Sequence, residues 1–384
     1  MPRHVNRGVC LLALAVLIAA GCAPGSSAGP AAPPTSSAVS PTAGAAPSAA
    51  AAAPAATSTA PPAATHLRVA SQNIAGDVMI YWAAERGYYQ QEGLDVEIVP
   101  ILDASQMTPA LATEQVDVAG IGGTAPMWNA VARGVPLKLV LDKGTFRPGA
   151  DFGALVVRKD LYDAGRARRL DDFKGLTLGL IPPGKASGNG AIMAHALRGV
   201  GLTLDDLNVQ SMPFPDMVPA LANGALDAAV LGEPFLLRAE RGGAAVKLAG
   251  NSELYPDYTV SALCFTPTLY NNQPAARAYA RAYVRAVREY LTALAAGPGD
   301  ATRAQVDEVM ARYTGIDQAV VRDMVPVGFS PNALPNRDSL LYTYQFFREL
   351  GLVSEPIPDP ALTALWGTDL MDNVLAELGR LPEG

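Results

Sequence analysis

The chain has 384 residues, of which 49% are hydrophobic and 17% charged, and its formal net charge is −7. That length fits roughly two to three domains with sizeable cores. The acidic balance argues against nucleic acid as a partner. A mean hydropathy of +0.16 comes without any apolar run near the ~20 residues of a spanning helix, which excludes an integral membrane protein.

At the start, Arg3 and Arg7 precede the apolar run Val9–Ala20, which ends in Ala19-Ala20-Gly21-Cys22. A basic start, a short apolar stretch and small residues before a cut make a secretory signal over residues 1–22. The cysteine at the cut resembles a bacterial lipobox, with Ala19 where Leu or Val is commoner. Cys22 is therefore expected to be lipidated, the alternative being an ordinary signal peptide with a chance cysteine. Residues 23–65 are almost entirely Ala, Pro, Ser, Thr and Gly with no charge. Such a segment buries no core and is expected to be a disordered tether that lets a folded domain stand off a membrane. Cys10 and Cys22 belong to the signal, so Cys264 is left as a lone thiol without a disulfide partner. Its apolar surroundings read as those of a small buried hydrophobe.

From His66 the pattern becomes periodic. Strands are expected at Leu67–Ala70, Asp95–Ile101, Val116–Ile121 and Leu137–Leu141. Helices alternate with them at Val78–Arg86, Gln106–Thr113 and Ala125–Ala132. A second cycle follows, with strands at Leu176–Ile181, Leu207–Met212 and Ala228–Leu231 and helices at Ala191–Gly199 and Val218–Ala222. This alternation predicts mostly parallel sheets covered by helices, an α/β fold. Two apolar segments, Ala154–Val157 and Tyr258–Phe265, bracket the second cycle and read as strands crossing between two lobes. The remainder is helical: Pro274–Ala295, opening with Pro near its first turn, then Ala301–Tyr313, Ser339–Leu350 and Ala361–Leu378.

The two cycles share an internal repeat. Met107–Gly123 (MTPALATEQVDVAGIGG) and Met217–Glu233 (MVPALANGALDAAVLGE) are identical at eight of 17 aligned positions without a gap. Pro109/Pro219, Asp117/Asp227 and Gly122/Gly232 are the matches least attributable to a composition rich in Ala and Leu. Each copy reads as a helix end, a turn and a buried strand.

Several segments in order resemble the periplasmic binding proteins of ABC importers, in the group that takes up nitrate, taurine, aliphatic sulfonates and thiamine-precursor pyrimidines. They are Gly87–Val99 (GYYQQEGLDVEIV), Ala110-Leu-Ala with Val116-Asp-Val, Gly122-Gly-Thr-Ala-Pro126, Arg133-Gly-Val-Pro136, Asp171-Asp-Phe-Lys-Gly175, Gly224–Ala228 and Gly232-Glu-Pro-Phe235. The resemblance covers Leu67 to Leu378. It implies the two-lobed periplasmic-binding-protein fold of type II, each lobe a mostly parallel sheet flanked by helices and the two joined by crossing strands. Lobe 1 is then 66–156 plus 258–384, and lobe 2 is 157–257.

Ligands of open parallel sheets bind beyond the carboxyl ends of strands, which singles out four loops. In Ser71-Gln72-Asn73, the amides of Gln72 and Asn73 either meet a ligand or cap the next helix. In Gly122-Gly123-Thr124-Ala125, glycines permit close backbone approach and a helix N-terminus favours a polar oxygen; alternatively Thr124 is simply a cap. In Pro182–Gly190, Ser187 and Asn189 open a helix, and the spacing is not that of a P-loop. In Gly232-Glu233-Pro234-Phe235, Glu233 either accepts hydrogen bonds from a ligand or serves the helix start, where acids are favourable. The loop aromatics Phe146 and Phe235 can stack on a planar ligand, whereas Tyr81, Trp82 and Trp128 lie on helices and read as core. Glu233 tilts the expectation toward ligands with donors, such as a pyrimidine.

The expected function is an extracytoplasmic solute-binding protein that delivers a sulfonate, nitrate-like anion or pyrimidine-class molecule to an ABC permease by lobe closure. It is expected as a monomer anchored to the outer face of the cell membrane or periplasmic, with no cofactor, metal or catalytic residue. The alternatives are an enzyme of the pyrimidine-synthase-like type on the same fold and a ligand co-sensor for a signalling partner. Against catalysis, the two histidines beyond the signal are His66, at the linker end, and His195, within a helix, and no HExxH or GxSxG motif occurs beyond the linker.

Overall fold

The computed structural model describes residues 64–383. The signal 1–22, Cys22 and the linker up to residue 63 lie outside the described residues. The first strand begins at Thr65, inside the segment assigned to the linker, because its first residues already pair with Leu94 and Asp95.

The described strands are β1 (Thr65–Ser71), β2 (Leu94–Pro100), β3 (Val118–Ile121), β4 (Lys138–Asp142), β5 (Gly153–Arg158), β6 (Thr177–Leu180), β7 (Asn208–Ser211), β8 (Ala228–Gly232), β9 (Ala245–Gly250) and β10 (Ala262–Phe265). They form two five-stranded sheets, ordered β2-β1-β3-β10-β4 and β7-β6-β8-β5-β9. The two orders correspond position by position. In each sheet the fourth strand runs antiparallel to its neighbours and the rest are mutually parallel. That odd strand is exchanged: β5 follows the first cycle yet sits in the second sheet, and β10 follows the second cycle yet sits in the first.

The expectation that Ala154–Val157 and Tyr258–Phe265 cross between lobes is therefore corrected. Ala154–Val157 lies within β5, and the last four residues of Tyr258–Phe265 form β10, so both runs end inside sheets. The reason is burial: a strand covered on both faces needs a continuous apolar run, and β5 has five buried residues in succession. The crossings are the stretches just ahead of them, 143–152 and 251–261. After the short helix Asn251–Leu254, residues 258–261 pair with 143–146 as an antiparallel ribbon: Lys143 N donates to Ser261 O (2.9 Å), Val260 N to Gly144 O (2.8 Å) and Phe146 N to Tyr258 O (3.0 Å). The Thr145 and Thr259 hydroxyls meet at 3.0 Å between them.

The sequence repeat is a structural repeat. Its strand is the third in each sheet order, and its aspartate plays the same part twice. Asp117 Oδ2 accepts from Arg68 N on β1 (2.7 Å), and Asp227 Oδ2 accepts from Thr177 N on β6 (2.9 Å). Each aspartate also meets an arginine, Arg68 or Arg158, at 3.1 Å. The carboxylate thus satisfies a backbone donor of the neighbouring strand, Arg68 of β1 or Thr177 of β6, one residue ahead of where β3 or β8 pairs with it.

The segment Ala361–Leu378 is not one helix. It divides into Asp359–Ala364 and Thr368–Leu378, because Leu365–Gly367 leaves the helix to pair with β4. Leu139 N donates to Leu365 O and Gly367 N to Leu139 O, each at 2.8 Å. A Cβ on Gly367 would lie 2.9 Å from Val140 Cγ2, so the close approach needs glycine. The pattern also leaves unmarked the edge strand β9 and the helix Phe235–Arg241. The long helix Gln273–Ala296 covers one face of the first sheet with Tyr279, Tyr283 and Tyr290 fully buried. Cys264 is buried on β10. Among the described residues no helix is long and apolar enough to cross a membrane.

Candidate functional site

The ribbon sets the site. β4 ends at Asp142 and enters it at Lys143, and β9 ends at Gly250 and reaches it through the short helix Asn251–Leu254. Both strands run with the parallel majority of their sheets, so the two carboxyl edges face each other across the ribbon, the place where open α/β sheets bind ligands. Neighbouring loops emerge together: Ile101 N donates to Ser71 O (2.7 Å) in the first sheet and Met212 N to Leu180 O (3.0 Å) in the second. β1, β2, β6 and β7 lie away from the ribbon strands, so their ends form the mouth of the cleft.

The loop after β1 is organised by a carboxylate. Asp77 is fully buried at the head of the helix Val78–Glu85. Its Oδ2 accepts from Gln72 N (2.9 Å), Ile74 N (3.3 Å) and Ser71 Oγ (3.0 Å), and its Oδ1 lies 2.7 Å from Lys143 Nζ. Asn73 takes a left-handed conformation (φ 55°), tolerable for Asn. Its N donates to Ser71 Oγ (3.0 Å), and Tyr81 OH donates to its Oδ1 (3.0 Å). Burial pushes the Tyr81 hydroxyl well above its ordinary range. The lysine stem lies across Gly120 of β3, where any Cβ would overlap it. Gln72 and Asn73 are half-buried and Ile74 is exposed. The sequence reading named Ser71 only as part of its loop, missed Asp77 and Lys143, and took Tyr81 as plain core. The available signal was Lys143 itself, a lysine directly after an apolar strand and before Gly144.

The other loops divide between structural and open groups. Gly123 is buried: a Cβ there would lie 2.7 Å from Thr343 Oγ1 and 2.9 Å from Leu340 Cδ2 of the helix Arg337–Glu349. Helix packing therefore demands this glycine, not the approach of a ligand. Thr124 Oγ1 accepts from Met127 N at 3.4 Å, and Ala125 is buried behind it. Ser187 is buried and caps the helix Gly188–Arg198 through Gly190 N (3.1 Å) while donating to Gly184 O (2.6 Å). Asn189, half-buried, lies in that helix's first turn.

Glu233 has both oxygens engaged. Oε2 accepts from Leu237 N (3.1 Å), as a helix-start acid does, and Oε1 accepts from Val325 N (3.2 Å) across in the first lobe's return segment. Burial raises its pKa, opposed by those two backbone donors. Each oxygen thus already holds one backbone donor, including the helix-start bond that the sequence left as an alternative. Phe146 is likewise not a free loop aromatic. It is buried in the ribbon against Phe152 (ring centroids 4.7 Å) and Tyr258 (6.3 Å). Phe235 is half-buried, 6.0 Å from Phe214, a ring the sequence reading did not name.

Residues 77–301 match the family model described as NMT1/THI5 like, and the chain belongs to that family. A protein of Brucella abortus (strain 2308) named as a candidate binding protein is 27% identical over 192 residues, covering 48% of this chain and 55% of that one. The match thus spans about half the length of that curated relative. Among solved structures, the aliphatic sulphonate binding protein SsuA from Escherichia coli superposes with a TM-score of 0.62 at 19% identity, over 79% of this chain and 92% of its own. The nitrate-binding protein NrtA from Synechocystis PCC 6803 gives 0.64 at 14%, over 82% and 89%. The desulfurization enzyme DSZB gives 0.56 at 15%, over 82% and 99%. These likenesses show the fold, a two-lobed α/β architecture shared by binding proteins and by an enzyme.

Proposed function

We propose that this chain is an extracytoplasmic solute-binding protein that closes two lobes on a small molecule and presents it to an ABC permease unchanged. One observation carries the reading: two sheets of the same order turn their carboxyl edges toward each other across a two-segment ribbon. Such a ribbon absorbs a hinge rotation, and ligand contacts to both lobes select the closed form. The names of the SsuA and NrtA neighbours support the same role. The reading includes a signal peptide over 1–22, lipidation at Cys22, a tether to about residue 64, and a monomer held at the outer face of the membrane. It assigns lobe 1 to β1–β4 with β10 and the C-terminal helices, and lobe 2 to β5–β9. Glu233 and Ser187 support lobe structure in it, while Gln72, Asn73, Thr124, Asn189 and Phe235 face the solute.

The test pairs transport with chemistry. A deletion strain is assayed for uptake across sulfonates, nitrate and pyrimidines, and the purified chain is incubated with whichever solute stabilises it. Loss of uptake of one solute class, with that solute recovered intact by mass spectrometry, is the expected result. Chemical conversion of the solute would overturn the reading in favour of an enzyme.

A further inference from the structure

The two lobes touch at places other than the ribbon. Glu233, Leu237 and Arg241 recur every four residues, so they line one face of the helix Phe235–Arg241 and the turn ahead of it. All three reach the first lobe. Glu233 Oε1 accepts from Val325 N (3.2 Å), Leu237 packs against the first lobe's core, and Arg241 Nη2 lies 2.5 Å from Asp323 Oδ2, at the end of the helix Gln318–Asp323. A second seam joins the helix Gly188–Arg198 to the helix Arg337–Glu349. His195 meets the Tyr342 ring at right angles, 5.4 Å between centroids, and Arg198 Nη2 lies 3.0 Å from Glu349 Oε2.

The seams lie on opposite faces of the second sheet. Successive side chains of β5 point to opposite faces. Ala154 and Val156 share a core with Leu236 and Ala239 of the first seam's helix, and Leu155 and Val157 share one with Ile192 and Met193 of the second's. The lobes are thus fastened on both sides of that sheet, and parting them breaks at least one fastening. Each seam is made wholly of the chain's own groups. Glu233 and Leu237 are half-buried, whereas the four ion-pair side chains are 44–62% exposed. Salt screens exposed pairs, and each such pair shifts an equilibrium by roughly fivefold at most.

We propose that Arg198–Glu349 and Arg241–Asp323 form a twin latch that holds the lobes together without a solute and loosens as ionic strength rises. The latch is independent of what the cleft takes and of whether the chain transports or converts it. Salt then sets how often the lobes part to admit a solute.

The test needs no solute. Hydrogen exchange at the Val325 amide reads the first seam, and small-angle scattering of the same purified chain reads lobe separation. In the variant Arg198→Glu/Arg241→Glu, exchange at Val325 should quicken roughly fivefold or more at low salt, and the radius of gyration should rise. High salt should move the original chain the same way by a smaller factor. Adding Glu349→Arg and Asp323→Arg to the variant restores opposite charges in reversed order and should return both readings to those of the original chain. All four positions are exposed, so the substitutions leave the cores intact. Readings that stay unchanged in the first variant, or in the original chain between low and high salt, overturn the proposal. So does a change that the swapped charges fail to reverse, which would assign it to the substituted side chains rather than to their pairing.

Discussion

Lys143 Nζ lies 2.7 Å from Asp77 Oδ1, and the two side chains are 2% and 0% exposed. The lysine opens the first crossing segment, and the aspartate orders the first cleft loop. The pair therefore ties the ribbon to the groups placed at the cleft. Two charges removed from water depend on each other: neither is tolerable there alone.

Lys143→Met should destabilise the chain by about 3–5 kcal/mol, because it leaves a buried carboxylate unpaired. Adding Asp77→Asn should recover part of that loss, since an amide oxygen still accepts from Gln72 N and Ser71 Oγ. Urea denaturation of both singles and the double measures the coupling. A double mutant as unstable as the sum of the singles would show that the two groups act independently.

Gly123→Ala should cost about 1–3 kcal/mol by overpacking against Thr343 and Leu340. Trp128 Nε1 donates to the same Thr343 Oγ1 at 2.8 Å, so displacement of Thr343 should also shift indole fluorescence. A variant with unchanged emission and stability would place the glycine outside the packed interface.

His195, on a helix of the second lobe, lies 4.4 Å from the Tyr255 ring and 5.4 Å from the Tyr342 ring, the latter on the first lobe's helix Arg337–Glu349. Burial, then Arg198, lowers its pKa below the ordinary 6.5. The unfolded chain therefore takes up the proton first. Stability from this group is fully present above pH 6.5 and falls as pH drops toward the folded value, by a modest amount because His195 is exposed and solvent screens it. His195→Phe keeps the ring packing and should flatten that part of the curve. Melting temperatures of the two proteins between neutral and mildly acid pH decide it; parallel curves would remove His195 from the acid response.

Asp117→Ala and Asp227→Ala should each cost about 1–3 kcal/mol and to a similar extent, since each leaves a backbone N–H of the neighbouring strand, that of Arg68 or Thr177, unsatisfied. Calorimetry of the two variants compares them directly. A large loss in one and none in the other would mean that the two copies share geometry but not energetics.

Much of the architecture was legible before any coordinates. Period-2 and period-3.6 patterns placed β1–β4 and β6–β8, and the Met107/Met217 repeat identified the unit that each lobe uses. The pattern alone did not show the exchange of β5 and β10, because an apolar run states that a strand is buried but not which sheet buries it; the resemblance returned β10 to the first lobe but ended that lobe at 156, inside β5. At the candidate site, the sequence named the loops and left the roles of several residues open. Gly123, Ser187 and Glu233 have residue types that suit ligand binding and capping equally, and only the positions of Thr343, Gly190 N and Val325 N separate the two. The Asp77–Lys143 pair joins residues with no local pattern between them, so nothing short of the fold brings them together.

The exchanged strands also govern the order of assembly. β4 has β10 as its only neighbour within the first sheet, so a chain emerging N-terminus first carries β4 with an unpaired edge until residue 265 is free. The second sheet, whose strands all lie between 153 and 250, has its full complement earlier. Truncation anywhere before β10 therefore leaves β4 without its sheet partner, an exposed strand edge that invites aggregation.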